Sequence, residues 1–200
     1  MKKFEEQKFN IPALKGISAK NIEEHLKLYA GYVKNTNLIL ERIAELTREP
    51  RNAEKHLYEL GELQRRFAFE FDGMRNHEYY FRAFEGGPKT LSDGELKKAI
   101  AAEWGSFDDW LARFKTVALT RGIGWAMFYF DKKAGRLLNG WVDEQHSGHL
   151  TGLAPVLALD MWEHSYVMDY LPSGKKNYVE DFFANLNWSV AENNYADIAR

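Results

Sequence analysis

The sequence predicts an α+β fold: an N-terminal helical hairpin of two long helices, then a C-terminal α/β half with a small antiparallel sheet of about three strands. Two patterns carry this expectation. Up to Phe84 the apolar residues recur at three- and four-residue spacing, and from Trp125 they come instead in short runs bounded by turn residues. The 200 residues, 45% hydrophobic and 14% aromatic, supply enough apolar side chain for a sizeable core.

Taken in order, an irregular start closes at Pro12 and Gly16, and Ser18 is a good N-cap. From Ser18 to about Thr47, Ile22, Leu26, Tyr29, Val33, Leu40 and Ile43 keep a helical period. A second helical stretch runs from about Ala53 to Phe84 and stops at Gly86-Gly87-Pro88. A short third helix follows Ser92, and a fourth spans about Ser106 to Thr120. Trp125–Phe130 and Leu137–Val142, joined by Lys132-Lys133-Ala134-Gly135, read as a hairpin, and Pro155–Asp160 as a third strand. Helical character returns after Trp162 and again near Tyr178–Leu186. The seam falls near residues 86–92, dividing the chain into an N-terminal helical hairpin domain, 1–87, and a C-terminal α/β domain, 88–200.

Charge and cysteine content narrow the function. Lys and Arg total 27 against 29 Asp and Glu, a net charge of -2, so the basic footprint of a nucleic-acid binder is missing. There is no cysteine, which excludes disulfides, thiolate catalysis and zinc fingers and leaves His and carboxylate as metal ligands. The opening Met1-Lys2-Lys3-Phe4-Glu5-Glu6 has no apolar leader, and no apolar run is long enough to span a bilayer. The expectation is a soluble, cytoplasmic protein that engages neither membrane nor nucleic acid.

Of the six histidines, His56 sits in a charged stretch and reads as part of a solvated helix face. His25 lies on the apolar side of the first helix, His77 among aromatics, and His164 four residues beyond Asp160. Each alone is more readily a satisfied core histidine than a ligand. Together, three imidazoles and a carboxylate at the end of an apolar strand form an N/O set suited to iron, manganese or zinc. An oxygenase site of two histidines and one carboxylate would leave the third histidine unexplained.

Asp160-Met161-Trp162-Glu163-His164-Ser165-Tyr166-Val167-Met168-Asp169-Tyr170 resembles the metal-binding signature of iron/manganese superoxide dismutases, Asp-x-Trp-Glu-His-x-Tyr-x-x-Asp-Tyr. Three further blocks fall in the family's order: Asn76-His77 followed by aromatics, Gly122-Ile123-Gly124-Trp125-Ala126, and Tyr32-Val33-Lys34-Asn35-Thr36-Asn37. The resemblance spans essentially the whole chain. It implies one Fe or Mn per chain, alternating between +3 and +2, that converts the small anion superoxide to dioxygen and hydrogen peroxide. It also implies His25, His77, Asp160 and His164 as ligands, with a solvent molecule completing the coordination. The fold without the activity, as a metal-free structural or interaction protein, is the alternative.

The first ligand needs an argument. The family places its active-site Tyr eight residues beyond that ligand, but Tyr32 lies seven beyond His25, so alignment from the Tyr would select Glu24. At about 100° per residue, seven residues return to within roughly 20° of the same helix face, whereas eight overshoot by about 80°. Helix geometry therefore favours His25. The resemblance makes Tyr32 a gate that hydrogen-bonds toward the bound solvent. It places His146 against that solvent from the loop after Trp141-Val142, with Gln145 one residue away as runner-up and His149 third. Trp125, Trp162 and Tyr80 would line the pocket, and Glu163 would cross the interface of a homodimer or dimer-based tetramer to the other subunit's histidine. Gly73 occupies the other of the two locations from which family members place the solvent-contacting residue. Two departures stand out: Leu28 or Tyr29, and Val167, replace the family's cross-dimer His–Tyr pair, and Phe81 stands where Trp is usual.

Overall fold

The computed structural model of the protein describes residues 2–200. Helix α1 spans Ala19–Leu46 and is capped by the Ser18 hydroxyl, which accepts from the Asn21 N–H. Its inward stripe runs Ile22, His25, Tyr29, Val33, Thr36, all buried, at the three- and four-residue steps of one helix face. Each large apolar member contributes about 1.5–3 kcal/mol by leaving water. A short helix α2 (Pro50–Lys55) precedes the long α3 (Leu57–Arg82). The continuous helix expected from Ala53 is broken at His56, whose φ of -117° and ψ of 23° leave the helical region. Leu57 and Tyr58 there stay 69% and 93% exposed, so no burial holds that turn to the rest.

Helices α4 (Glu95–Trp104) and α5 (Phe107–Ala118) lead into the sheet, and Ser106 caps α5 through the Asp109 N–H. Strands β1 (Gly124–Asp131), β2 (Arg136–Asp143) and β3 (Ala154–Asp160) form one antiparallel sheet in the order β2-β1-β3. Gly124 opens β1 at φ +150°, and a Cβ there would collide with the Val142 carbonyl oxygen. The central strand is buried from Gly124 to Phe130, which explains its nearly unbroken apolar run. The register pairs Trp125 with Asp160, and a bulge interrupts the β1–β3 ladder at Phe128/Tyr129.

After β3 the helical character expected beyond Trp162 is only a 3-10 turn, Glu163–Ser165, with a second at Pro172–Gly174. Helix α6 covers Lys175–Asn185, and a terminal helix that the sequence pattern did not reveal, α7, covers Trp188–Ala199. Asn187 caps α7, and Asn194 donates to the Val156 carbonyl beside the bulge (3.0 Å), satisfying a strand group that would otherwise lack a partner. Among the described residues no helix is long and apolar enough to cross a membrane.

Two features bring the elements to one point. Helix α3 packs against both α1 and β3. The Asp169 carboxylate accepts from the Ser18 N–H (2.9 Å) and the Asn21 amide (3.0 Å), tying the start of α1 to the segment after β3. Asp169→Ala is expected to cost about 1–3 kcal/mol by leaving these donors unmatched, measured as a lower urea midpoint at unchanged m-value.

Candidate metal centre

His25 comes from the buried stripe of α1, His77 from α3, Asp160 from the last position of β3, and His164 from the turn that follows. Their donor atoms all lie within 4.8 Å of one another. Asp160 Oδ2 is 3.0 Å from His164 Nε2, 3.1 Å from His25 Nε2 and 3.5 Å from His77 Nε2. The other oxygen, Oδ1, accepts the Trp162 N–H at 2.8 Å, leaving Oδ2 to face the three rings. His77 Nδ1 donates to the Gly73 carbonyl at 2.6 Å, so the lone pair is on Nε2, which is buried without any hydrogen-bond partner.

That orphaned nitrogen tests the fit of a cation. Donors bound at about 2.1 Å and subtending about 90–120° lie roughly 3.0–3.6 Å apart. The three distances from Asp160 Oδ2 fall in that window. Three imidazoles and one carboxylate also match the donor preference of iron and manganese, so the residues fit such an ion.

Electrostatics prepare the same state. Burial lowers the His77 pKa to about 3 and also lowers that of His25, keeping both rings neutral. Burial alone would raise the Asp160 carboxyl, but the adjoining His164 and His25 outweigh it and hold the group well below the usual carboxylate range.

Tyr32 joins this cluster from α1, its ring 5.1 Å from that of His77. The helix carries His25 and Tyr32 inward without a bulge, while Glu24 is exposed and paired with Lys27 at 2.8 Å. The Tyr32 hydroxyl accepts from Gln145 Nε2 (3.0 Å), and Gln145 Oε1 accepts from the Trp125 indole (2.9 Å). Of the three residues expected in this loop, fully buried Gln145 is the one that meets Tyr32. Reciprocal bonds between Asp143 and Ser147, with Glu144 at φ +52°, close a tight loop that turns residue 145 inward. His146 packs edge-on against Phe69 instead, and His149 bonds Tyr129.

Aromatic rings lie close around the histidines. Trp125 meets His77 edge-on at 5.0 Å, Trp162 stacks on His164 at 5.7 Å, and Tyr80 lies 5.0 Å from His25. Phe81 sits 4.9 Å from His25. Tyr29 is buried and accepts from the Gln7 N–H, and Leu28 is half-buried. Glu163 and Val167 are exposed. Two contributors escaped sequence reasoning. The Tyr178 hydroxyl donates to the Asp160 carbonyl at 2.9 Å. Gly73 leaves room for Tyr32, since a Cβ there would lie 2.7 Å from Cδ1 of its ring. A glycine inside a helix was the available signal for the second.

Residues 92–194 match the family model described as iron/manganese superoxide dismutases, C-terminal domain. An iron superoxide dismutase of Cupriavidus metallidurans is 37% identical over 190 residues, 94% of this chain and 92% of the relative. One of Aquifex aeolicus is 34% identical over 184 residues (91% and 85%), and a manganese superoxide dismutase of Mycolicibacterium smegmatis 33% over 173 (86% and 81%). The chain belongs to the iron/manganese superoxide dismutase family.

Two predictions follow from this geometry. Gly73→Ala is expected to destabilise by about 1–3 kcal/mol through the clash with Tyr32, outweighing the helix-propensity gain. Gly61→Ala, with open space around it, is expected to stabilise by about 0.5–1 kcal/mol; thermal melts of both variants check the pair. In chelated protein, His25 and His77 bind protons less readily folded than unfolded. Stability should therefore fall as pH drops from about 6.5 toward 3, by up to ~1.4 kcal/mol per pH unit per group. Asp160 adds to the loss below about pH 4. Asp72, which burial raises to about 6, offsets part of the loss between about pH 4 and 6. Urea midpoints across that range measure the slope.

Proposed function

We propose that this chain catalyses superoxide dismutation, 2 O2•− + 2 H+ → O2 + H2O2, with one Fe or Mn per chain held by His25, His77, Asp160 and His164. The observation that carries this reading is the convergence of four donor atoms within 4.8 Å, one of them the unpartnered Nε2 of His77, in a member of this family. The bound ion supplies one-electron redox cycling. The chain's residues do the rest.

Asp160 offers Oδ2 to the cation while the Trp162 N–H holds Oδ1. The Tyr32 pKa is raised by burial and then by the Asp160 charge, so its hydroxyl stays protonated. Because that oxygen already accepts from Gln145, its own proton is free to be donated to a small anion or solvent at the ion. Trp125, Trp162, Tyr80 and Phe81 surround the cluster with ring surface, excluding bulk water and larger anions. Gln145, tethered at both ends of its carboxamide, is the residue that tunes the proton held at Tyr32 Oη.

A homodimer belongs to the same reading. The His164 side chain is 23% exposed, and Glu163 beside it is exposed among Val167, Met168 and Leu171, which are 46%, 46% and 76% exposed. A second copy covering this face would bury that apolar surface and let Glu163 meet the partner's histidine. A cytoplasmic location is part of the proposal, consistent with a cysteine-free chain.

The test is elemental analysis of purified protein together with dismutase assay after loading with iron or manganese. Near one ion per chain with activity is expected, both lost in His77→Ala at retained far-ultraviolet circular dichroism. A folded wild-type chain that takes up neither metal would overturn the proposal.

A further inference from the structure

Of the histidines outside the cluster, His149 is half-buried with both ring nitrogens engaged. Its Nε2 lies 3.3 Å from Asn76 Nδ2 and its Nδ1 2.7 Å from the Tyr129 hydroxyl. The same Asn76 amide donates to the Gln145 carbonyl at 3.0 Å. An amide NH2 has only protons to offer, so His149 Nε2 is the acceptor and Nδ1 carries the proton shared with Tyr129. Burial lowers the His149 pKa, which favours this neutral form.

The placement of these groups is regular. Trp125 and Tyr129 lie four residues apart on β1, hence on one face. They hold Gln145 and His149, four residues apart in the loop after β2. Asn76, next to His77 on α3, grips the loop at both its Gln145 carbonyl and its His149 ring. Gly148, at φ +102°, is the turn that lets the loop reach both points.

We propose that His149 is a positioning residue for Gln145: bridging Asn76 and Tyr129, it holds the loop so that the Gln145 carboxamide meets Trp125 and Tyr32. This rests on the reading of Gln145 as the partner of Tyr32 at the metal centre. His149 bonds Asn76 and Tyr129, neither of them in the ligand set, and acts through the loop alone.

The experiment compares wild type with His149→Gln, which keeps an acceptor and a donor on one planar group, and His149→Leu, which keeps neither. In metal-free protein, hydrogen exchange of the Trp125 indole N–H reports whether Gln145 still accepts it. His149→Leu is expected to speed that exchange about tenfold, with His149→Gln restoring it. In iron-loaded protein, His149→Leu is expected to lower turnover several-fold and to change azide affinity at unchanged iron content. Indole exchange in His149→Leu equal to wild type, or equal perturbation by Leu and Gln, would overturn the proposal. Should His149→Leu fail to fold, Tyr129→Phe removes a single hydroxyl and is expected to shift the exchange in the same direction; an unchanged rate there overturns it too. A wild-type protein that neither binds metal nor turns over would defeat the functional reading, while the exchange comparison still decides the positioning role.

Discussion

A fully buried carboxylate is the constraint on which the structure turns. Asp160 ends the edge strand with no solvent exposure, and a charge in that position is tolerated only if it is paired and hydrogen-bonded. The rings of His25 and His164 on one oxygen and a backbone N–H on the other meet that demand, with His77 Nε2 facing the same oxygen and left for a cation. To deliver them, α1 must lie beside α3, α3 must pack on β3, and the chain after β3 must turn back at once toward α1. The Asp160 carbonyl is itself held by Tyr178 and Ser165. What looks like a metal centre added to a fold is also the polar junction at which the helical and sheet parts meet.

Around that junction the packing is aromatic and continuous. An N-terminal strap, residues 2–12, crosses the helices and seats Phe9 5.7 Å from Tyr29 and 5.4 Å from Phe81, whose own ring lies against His25. The strap is fixed by paired bonds between Phe4 and Asn37 and by the Gln7 N–H to Tyr29. Rings that interlock edge-to-face add about 0.5–1.5 kcal/mol per pair beyond burial. More to the point for function, they leave the ligand histidines little rotational freedom, which is the preorganisation a redox centre requires.

Space sets the rest. Tyr32 occupies volume that any side chain at residue 73 would claim. The carboxamide that bonds it therefore arrives from the loop after β2, where the Trp125 indole donates to its oxygen and Asn76 holds the Gln145 backbone carbonyl. Glycine on one helix and glutamine on a distant loop are thus two halves of one packing solution.

Much of this was legible in the sequence. The helical period of α1 identified His25 over Glu24, because a seven-residue step returns to one face of any regular helix. The long apolar run of β1 and the spacing from Asp160 to His164 were likewise local patterns with local causes. The sequence missed the break at His56 and the terminal helix α7, since both depend on whether a turn finds something to bury against. It left His146 and its neighbour Gln145 as first and second choices, and in the fold Gln145 is the one that meets Tyr32. Neighbours in a loop differ by one position in sequence but point in opposite directions in space, and the choice is made by the Asp143–Ser147 bonds and the left-handed Glu144. Periodicity determines which face of an element a residue shares. Only tertiary contact decides which way a loop residue turns, because no repeating backbone geometry constrains it in advance.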